Sequence, residues 1–421
     1  VTDTPTHLTS DGHRIVVAAA VISSGRLLAA RRTRPAALAG LWELPGGKVE
    51  PREEPAAALV RELREELSID TAVLGQVPGP LEGDWPLDEH SVLRVLRVGI
   101  ESASQPRSGV AHDEVRWLAP EEVATIEWVP ADVAAAAAAA GAIGTQVSFP
   151  AGHTTGASTV LRTDPMPDGC TAVVVATTPF HPVDHGWPDQ PADHGQLGRL
   201  EVVDCLTGAI DDHGQLTVGD QIGLRRGDPS RVWVVVHVVT GTPPEVGREV
   251  TLEVDAPRRQ ALSAGHTACH LAALALNEVG ADLWRKEPAK RDSRGFPDLD
   301  QIAIEISRIE PAASYDRYRF GKSLRKAGFD SVTFLERLDH LRGTAQELLD
   351  RWIAAGAAVC VDTGGDRTLT ARRRWICELP GEAAGIACGG THVQSLTELG
   401  AVRIDWQPSE AGLEVRTSVG S

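Results

Sequence analysis

Residues Gly47 to Ile69 read GKVEPREEPAAALVRELREELSI, a glycine turn followed by a segment that Pro55 can open at its first helical turn. At 3.6 residues per turn, Glu62, Glu65 and Glu66 fall within an arc of about 100° on one side of that helix, and Leu59, Val60, Leu63 and Leu67 gather on the adjoining face. One face packs and the other collects negative charge. Three crowded carboxylates repel one another unless a cation neutralises them, and hard oxygen donors suit Mg²⁺ or Mn²⁺. An isolated cluster of this kind would read more simply as a solvated acidic face with Arg61 and Arg64 as local partners. The wider spacing decides against that reading.

Gly47, five residues, Glu53, seven residues and then Arg61-Glu62-Leu63-Arg64-Glu65-Glu66-Leu67-Ser68-Ile69 resembles the Nudix box, G-x5-E-x7-R-E-U-x-E-E-x-G-U with U aliphatic. Only Ser68, in place of glycine, departs from it. The resemblance runs over about residues 13 to 138 and is nearest to the mutator-type branch that cleans nucleotide pools, through LLAARRTRPAALAGLWELPGGKVE at 27–50. It implies that Glu62, Glu65 and Glu66 hold Mg²⁺ (or Mn²⁺) and that Glu53 supports Arg61, the five forming the catalytic set. It also implies that Arg32, Glu43, Gly46, Gly47 and Lys48 meet a nucleoside triphosphate. The implied chemistry is metal-assisted substitution by water at phosphorus, with Glu62 or Glu65 as base and Asp113 and Glu114 as further candidates. Trp128-Val129-Pro130-Ala131-Asp132 matches the place where the family positions a base-reading side chain. An ionised Asp132 accepts from the exocyclic amine of cytosine, adenine or guanine, so the base stays open. Asp132 could equally cap the alanine-rich helix that follows it.

A second constellation lies far downstream. Residues 265–271 read GHTACHL, with His266 and His270 at i and i+4 on one side of a helix that the apolar run after them marks as buried. Residues 387–393 read ACGGTHV, with Cys388 and His392 flanking a glycine turn. Two imidazoles from a helix plus a thiolate and an imidazole from a turn form a zinc ligand set. The pattern resembles the editing domain of alanyl-tRNA synthetase and its free-standing relatives, from about Thr171 to the end. In FHPVDHGWPDQPADHG at 180–195, Gln190-Pro191 and Asp193 sit like the family's GGQP-x-D substrate loop. That similarity implies Zn²⁺ at His266, His270, Cys388 and His392, substrate contacts at Gln190 and Asp193, and deacylation of mischarged alanine tRNA. Two departures stand out: Gly186, Trp187, Pro188 and Asp189 largely replace the loop's glycines, and Cys269 stands where a polar or acidic residue is common. Four protein ligands describe a closed site, whereas catalysis needs an open position. A weakly held His392 would reconcile the two. The rival reading is a zinc-stabilised RNA-binding module without turnover.

Composition fits such a chain. With 421 residues, about two to four domains are expected. Hydrophobic residues at 42% and charged residues at 24% exclude wholesale disorder. The expected class is α/β: a Nudix α/β/α sandwich at 1–140, a linker at 141–158, a small β-barrel at 159–255 and an α+β zinc-binding editing domain at 256–421. The net charge of −17 falls on residues 1–255, while acids and bases balance over 256–421. Any RNA contact is therefore expected in the last segment, around Arg285, Lys286, Lys290, Arg291 and Arg294, or Arg317, Arg319, Lys322, Arg325 and Lys326, or Arg372 to Arg374. Aromatic residues at 4% argue against extensive base stacking. No apolar run approaches the length of a membrane span, no leader-like segment opens the chain, and six cysteines are too sparse for a disulfide scaffold, so a cytoplasmic location without membrane or duplex-DNA partners is expected.

Overall fold

The computed structural model describes residues 7–23, 25–100, 105–211 and 213–420. The chain forms two compact units. The first holds Val1–Gln146, Gly208–Val234 and Asp366–Thr370, and the second holds Val147–Thr207, Val235–Gly365 and Ala371–Ser421.

The first unit contains strands β1 (Arg14–Ser23), β2 (Arg26–Arg32), β3 (Trp42–Glu43), β4 (Gly46–Lys48), β5 (Thr71–Gln76), β6 (Trp85–Asp88), β7 (Ser91–Ile100) and β8 (His112–Leu118), with helices α1 (Pro55–Leu67) and α2 (Val133–Gly141). β1 pairs in parallel with β7 from Arg14↔Ser91 to Val21↔Val98. β2 pairs with β8, which sets Arg32 opposite His112. The alternation along β1 builds the layers: Ile15, Val17, Ala19 and Val21 pack with Ala58, Leu59, Leu63 and Leu67 of α1, while Ala18 and Ala20 pack with Trp42, Val95 and Ala135, Ala136 and Ala139 of α2. A strand buried on both faces reads as a continuous apolar run, and RIVVAAAVIS does. The expected α/β/α sandwich is the result.

α1 ends at Ser68, whose backbone is left-handed at φ 57°, ψ 37° and donates to Arg64 O. This is the position where the Nudix pattern carries glycine, and a Cβ there is strained by roughly 1 kcal/mol. Ser68→Gly is therefore expected to raise the stability of the first unit by about 1 kcal/mol, read as a higher denaturant midpoint for that transition.

Further along the chain, Gly195–Leu197 pairs with both Leu200–Ile210 and Glu249–Val254. The pairing continues through Thr155–Pro165, Thr171–Val175 and Val232–Val239 and returns to Leu200–Ile210. After it comes α3 (Ala256–Val279), capped by Asp255, whose side chain accepts from Arg258 N at 3.0 Å. α3 packs with helix Leu338–Ala355, and its face of small residues lies on a four-stranded sheet ordered Ile304–Glu310, Ala313–Arg319, Gly412–Gly420, Ala401–Pro408. At Gly265 a Cβ would come within 2.5 Å of the carbonyl oxygens of Glu310 and Ala313, so glycine lets the helix reach the turn. That contact fixes where His266, the next residue, sits.

The stretch expected as a linker carries regular structure: Gln146–Val147 is a short strand, Phe149–Ala151 a 3₁₀ turn, and Thr155 opens a long strand. Gln146, Val147 and Phe149 are buried. Among the described residues no helix is long and apolar enough to cross a membrane.

Two candidate metal centres

The first centre is built on α1. Glu62 lies against the glycine turn so closely that a Cβ at Gly47 would stand 2.3 Å from its carboxyl carbon, and one at Gly46 would stand 2.1 Å from Val17 O. The paired glycines thus admit both the carboxylate and the β1–β4 pairing. Arg61 grips Glu53 through Nε at 3.0 Å and Nη2 at 2.9 Å. It also reaches Lys48 O at 3.3 Å, Glu62 at 3.1 Å and Glu65 at 3.7 Å. That grip, with Glu50 N donating to the same residue, lowers the Glu53 carboxyl below its ordinary range. Glu66 is half-buried. Desolvation raises its carboxyl, His112 opposes this, and the neighbouring Glu62 and Glu43 raise it further. Its Oε2 is buried without a hydrogen-bond partner. An orphaned carboxylate oxygen among further carboxylates is what a hard divalent cation would satisfy, so the donor set fits Mg²⁺ or Mn²⁺. Glu65 is 63% exposed at its side chain and stands at the rim.

Beside this cluster Arg32 pairs with Glu43, and Glu43 Oε1 lies 2.7 Å from His112 Nε2. His112 is 2% exposed, with Nδ1 3.8 Å from Glu66 Oε2. It links the Arg32–Glu43 pair to the carboxylate helix, a link the sequence does not announce because it depends on the β2–β8 register. Asp113 and Glu114 are tied instead to Arg31, each at 2.8 Å. Asp132 precedes α2 but makes no capping bond. Its Oδ2 accepts from Leu44 N at 2.8 Å, next to Glu43. Burial pushes its carboxyl up to about 7.

The second centre joins α3 to the glycine turn at 388–392. His266 Nε2 and His392 Nε2 lie 3.4 and 3.3 Å from Cys388 Sγ. With His270 all four donor atoms fall within 4.8 Å of one another. His270 Nε2 is buried and has no hydrogen-bond partner. Desolvation holds His270 down at about 3 and keeps His266 and His392 well below their ordinary value, so all three imidazoles are neutral, the form that binds metal. Tetrahedral bonds of about 2.0–2.3 Å separate ligand atoms by roughly 3.3–3.8 Å, so the set fits Zn²⁺. Gly390 is required here, since a Cβ would come within 2.3 Å of the His266 ring. A cavity of about 340 Å³ opens beside His392, lined by Gly152, Val359, Cys360 and Gln394 among others.

Gln190 is brought to this centre, and both it and Asp193 are 1% exposed. Gln190 Oε1 lies 2.7 Å from His266 Nδ1 and accepts from Thr391 N at 3.0 Å, and its Nε2 donates to Thr391 Oγ1 at 2.8 Å. It therefore fixes the tautomer that leaves His266 Nε2 for metal. Asp193 is paired with buried Arg259 and accepts from His181 N at 2.6 Å, pinning the loop to α3. The Cys269 thiol donates to Asp316 at 3.4 Å, and Ser307 and Ser314 donate to the same carboxylate at 2.6 and 3.1 Å. Asp189, passed over as a lost glycine, is mostly buried. Desolvation raises its carboxyl to about 6.

Comparison with known proteins finds similarity to two different groups. The family model of the NUDIX domain matches residues 12–139. A putative 8-oxo-dGTP diphosphatase 2 of Mycobacterium tuberculosis is 42% identical over 120 residues, 28% of this chain and 83% of that protein. The CTP pyrophosphohydrolase of Escherichia coli is 34% identical over 28% of this chain and 84% of its own length. The chain belongs to the Nudix family. The C-terminal region matches a different group: the alanyl-tRNA editing protein AlaX-M of Pyrococcus horikoshii is 26% identical over 236 residues, 55% of this chain and 78% of that protein.

Proposed function

We propose that the chain is a bifunctional hydrolase, a Mg²⁺-dependent pyrophosphohydrolase of nucleoside triphosphates joined to a Zn²⁺-dependent deacylase of mischarged alanine tRNA. The observation that carries this reading is that two separate donor clusters each leave one buried atom unsatisfied, Glu66 Oε2 and His270 Nε2, and that each cluster lies in a part of the chain similar to enzymes of the corresponding chemistry. Bound Mg²⁺ would neutralise the polyphosphate and lower the pKa of the attacking water. Arg61 holds Glu62 in place and Glu53 holds Arg61, while Glu43 and His112 orient Arg32 toward the nucleotide. Glu62 or Glu65 would take the proton, and the close contact of Glu62 with Gly47 and its 17% side-chain exposure support Glu62. Bound Zn²⁺, held by four protein ligands, would order the site and add positive charge beside the aminoacyl ester. Gln190 and Thr391 hold His266, and Thr267 holds His392 at 3.2 Å. The pairing that closes on Gly195–Leu197 is read as the barrel of an editing module, and a cytoplasmic location remains part of the proposal.

The test is a turnover screen of normal and oxidised deoxynucleotides, CTP, and serine esterified to alanine tRNA. Hydrolysis of at least one nucleotide in Mg²⁺ and release of serine in Zn²⁺ are expected. Nucleotide turnover with zinc bound and no serine release would favour the RNA-binding rival. Asp132 adds a pH signature. Above about pH 7 its carboxylate accepts from an exocyclic amine, and below that it is protonated and accepts more weakly, so the KM for CTP is expected to fall as pH rises through 7. The inflection should be absent in Asp132→Asn.

A further inference from the structure

The resemblance leaves a chemical gap at the second centre. Four protein ligands complete a tetrahedron, and a tetrahedron that is complete has no group of its own to handle water. Asp189 supplies what is missing. Its main chain is fixed at both ends, with N donating to Trp187 O at 2.9 Å and O accepting from Ile309 N at 2.8 Å. Its Oδ1 accepts from Gln190 N at 2.8 Å, the residue that orients His266. Its Oδ2 lies 3.9 Å from His266 Nε2, the nitrogen that faces Cys388 Sγ. That separation is close to one edge of a zinc ligand tetrahedron, so Oδ2 borders the ligand set without completing it. The side chain is 24% exposed: the carboxylate is sunk into the protein yet reachable by solvent. A carboxylate held mostly out of water beside neutral imidazoles costs stability, and among the described residues no arginine or lysine forms an ion pair with it.

We infer that Asp189 Oδ2 accepts a hydrogen bond from the water that attacks the aminoacyl ester, making Asp189 a catalytic residue of the deacylation proposed above. The water oxygen forms the bond to the ester carbonyl carbon while its proton passes to Asp189 Oδ2. The bond from that carbon to the ribose oxygen then breaks, and the same proton is delivered to the departing ribose oxygen. Amino acid and tRNA with a free hydroxyl are the products, and no further reactant enters. The inference rests on the deacylase reading and adds to it a residue that lies at a position where the matched loop pattern has glycine.

The experiment uses the full zinc-loaded chain with serine esterified to alanine tRNA, comparing the native protein with Asp189→Asn, Asp189→Glu and Asp189→Gly. kcat, KM, zinc content and zinc affinity against a competing chelator are read for each. Asp189→Asn is expected to lower kcat by about 100-fold or more with KM changed less than about threefold. Zinc content and affinity should stay within about threefold of the native protein, and added formate should restore part of the activity of Asp189→Gly. A kcat within about threefold of native in Asp189→Asn overturns the inference and leaves the deacylase reading standing. So does a zinc affinity weakened by about tenfold or more, the mark of a residue that orients or joins the ligands. A native protein that binds zinc and releases no serine overturns the deacylase reading, and the inference with it.

Discussion

Glu62→Gln is expected to reduce nucleotide hydrolysis in Mg²⁺ by about 1,000-fold or more, the scale of the several kcal/mol that a positioned divalent ion contributes to transition-state charge. The side chain keeps its shape in this variant, so the contact with Gly47 survives and the packing of Leu59 and Leu63 beneath it is untouched. What disappears is one negative charge between Arg61 and Glu66. Arg61 then pairs with Glu53 and Glu65, and the cation would lose a ligand. Glu53→Gln should cost less, about 10- to 100-fold, because Glu53 acts through Arg61. Steady-state release of product under saturating Mg²⁺ separates the two, and serine release by the second unit serves as the internal control, unchanged in both. A Glu62→Gln protein within tenfold of native would remove Glu62 from the metal centre.

Cys388→Ala should have the largest effect in the second unit. Three imidazoles remain, yet the anionic ligand that draws the cation is gone, and His266 Nε2 and His392 Nε2 lose the atom they share at 3.4 and 3.3 Å. Bound zinc is expected to fall from about one per chain to near zero, and serine release by about 100-fold or more, with nucleotide hydrolysis retained. Because α3 and the glycine turn at 388–392 are joined through this centre, thermal unfolding of the second unit should also move to lower temperature, as it should when the native protein is treated with a chelator. Zinc retained at full stoichiometry in Cys388→Ala would contradict the ligand assignment.

The parts of these sites that sequence made legible are those set by local spacing. Glu62, Glu65 and Glu66 share a face because a helix turns every 3.6 residues, and His266 and His270 share one for the same reason. Gly46, Gly47 and Gly390 were legible as turns, and the structure adds which atoms they make room for. What sequence left dark depends on register and on distant packing. His112 meets Glu43 because β2 and β8 pair in one register. In sequence Asp132 reads equally as a cap or as a base reader, because its partner Leu44 N lies 88 positions away. Gln190 and Asp193 read as substrate contacts, whereas their burial follows from partners some 70 to 200 positions away, His266, Thr391 and Arg259. The grouping of Gly208–Val234 and Asp366–Thr370 with the first unit has no local signal at all.

Diffraction from crystals grown with Zn²⁺ and soaked in Mn²⁺, recorded across the absorption edges of both metals, tests the central claim most directly. The account predicts a zinc peak among His266, His270, Cys388 and His392 and a manganese peak against Glu62 and Glu66. Both positions empty of anomalous density under saturating ion would contradict it.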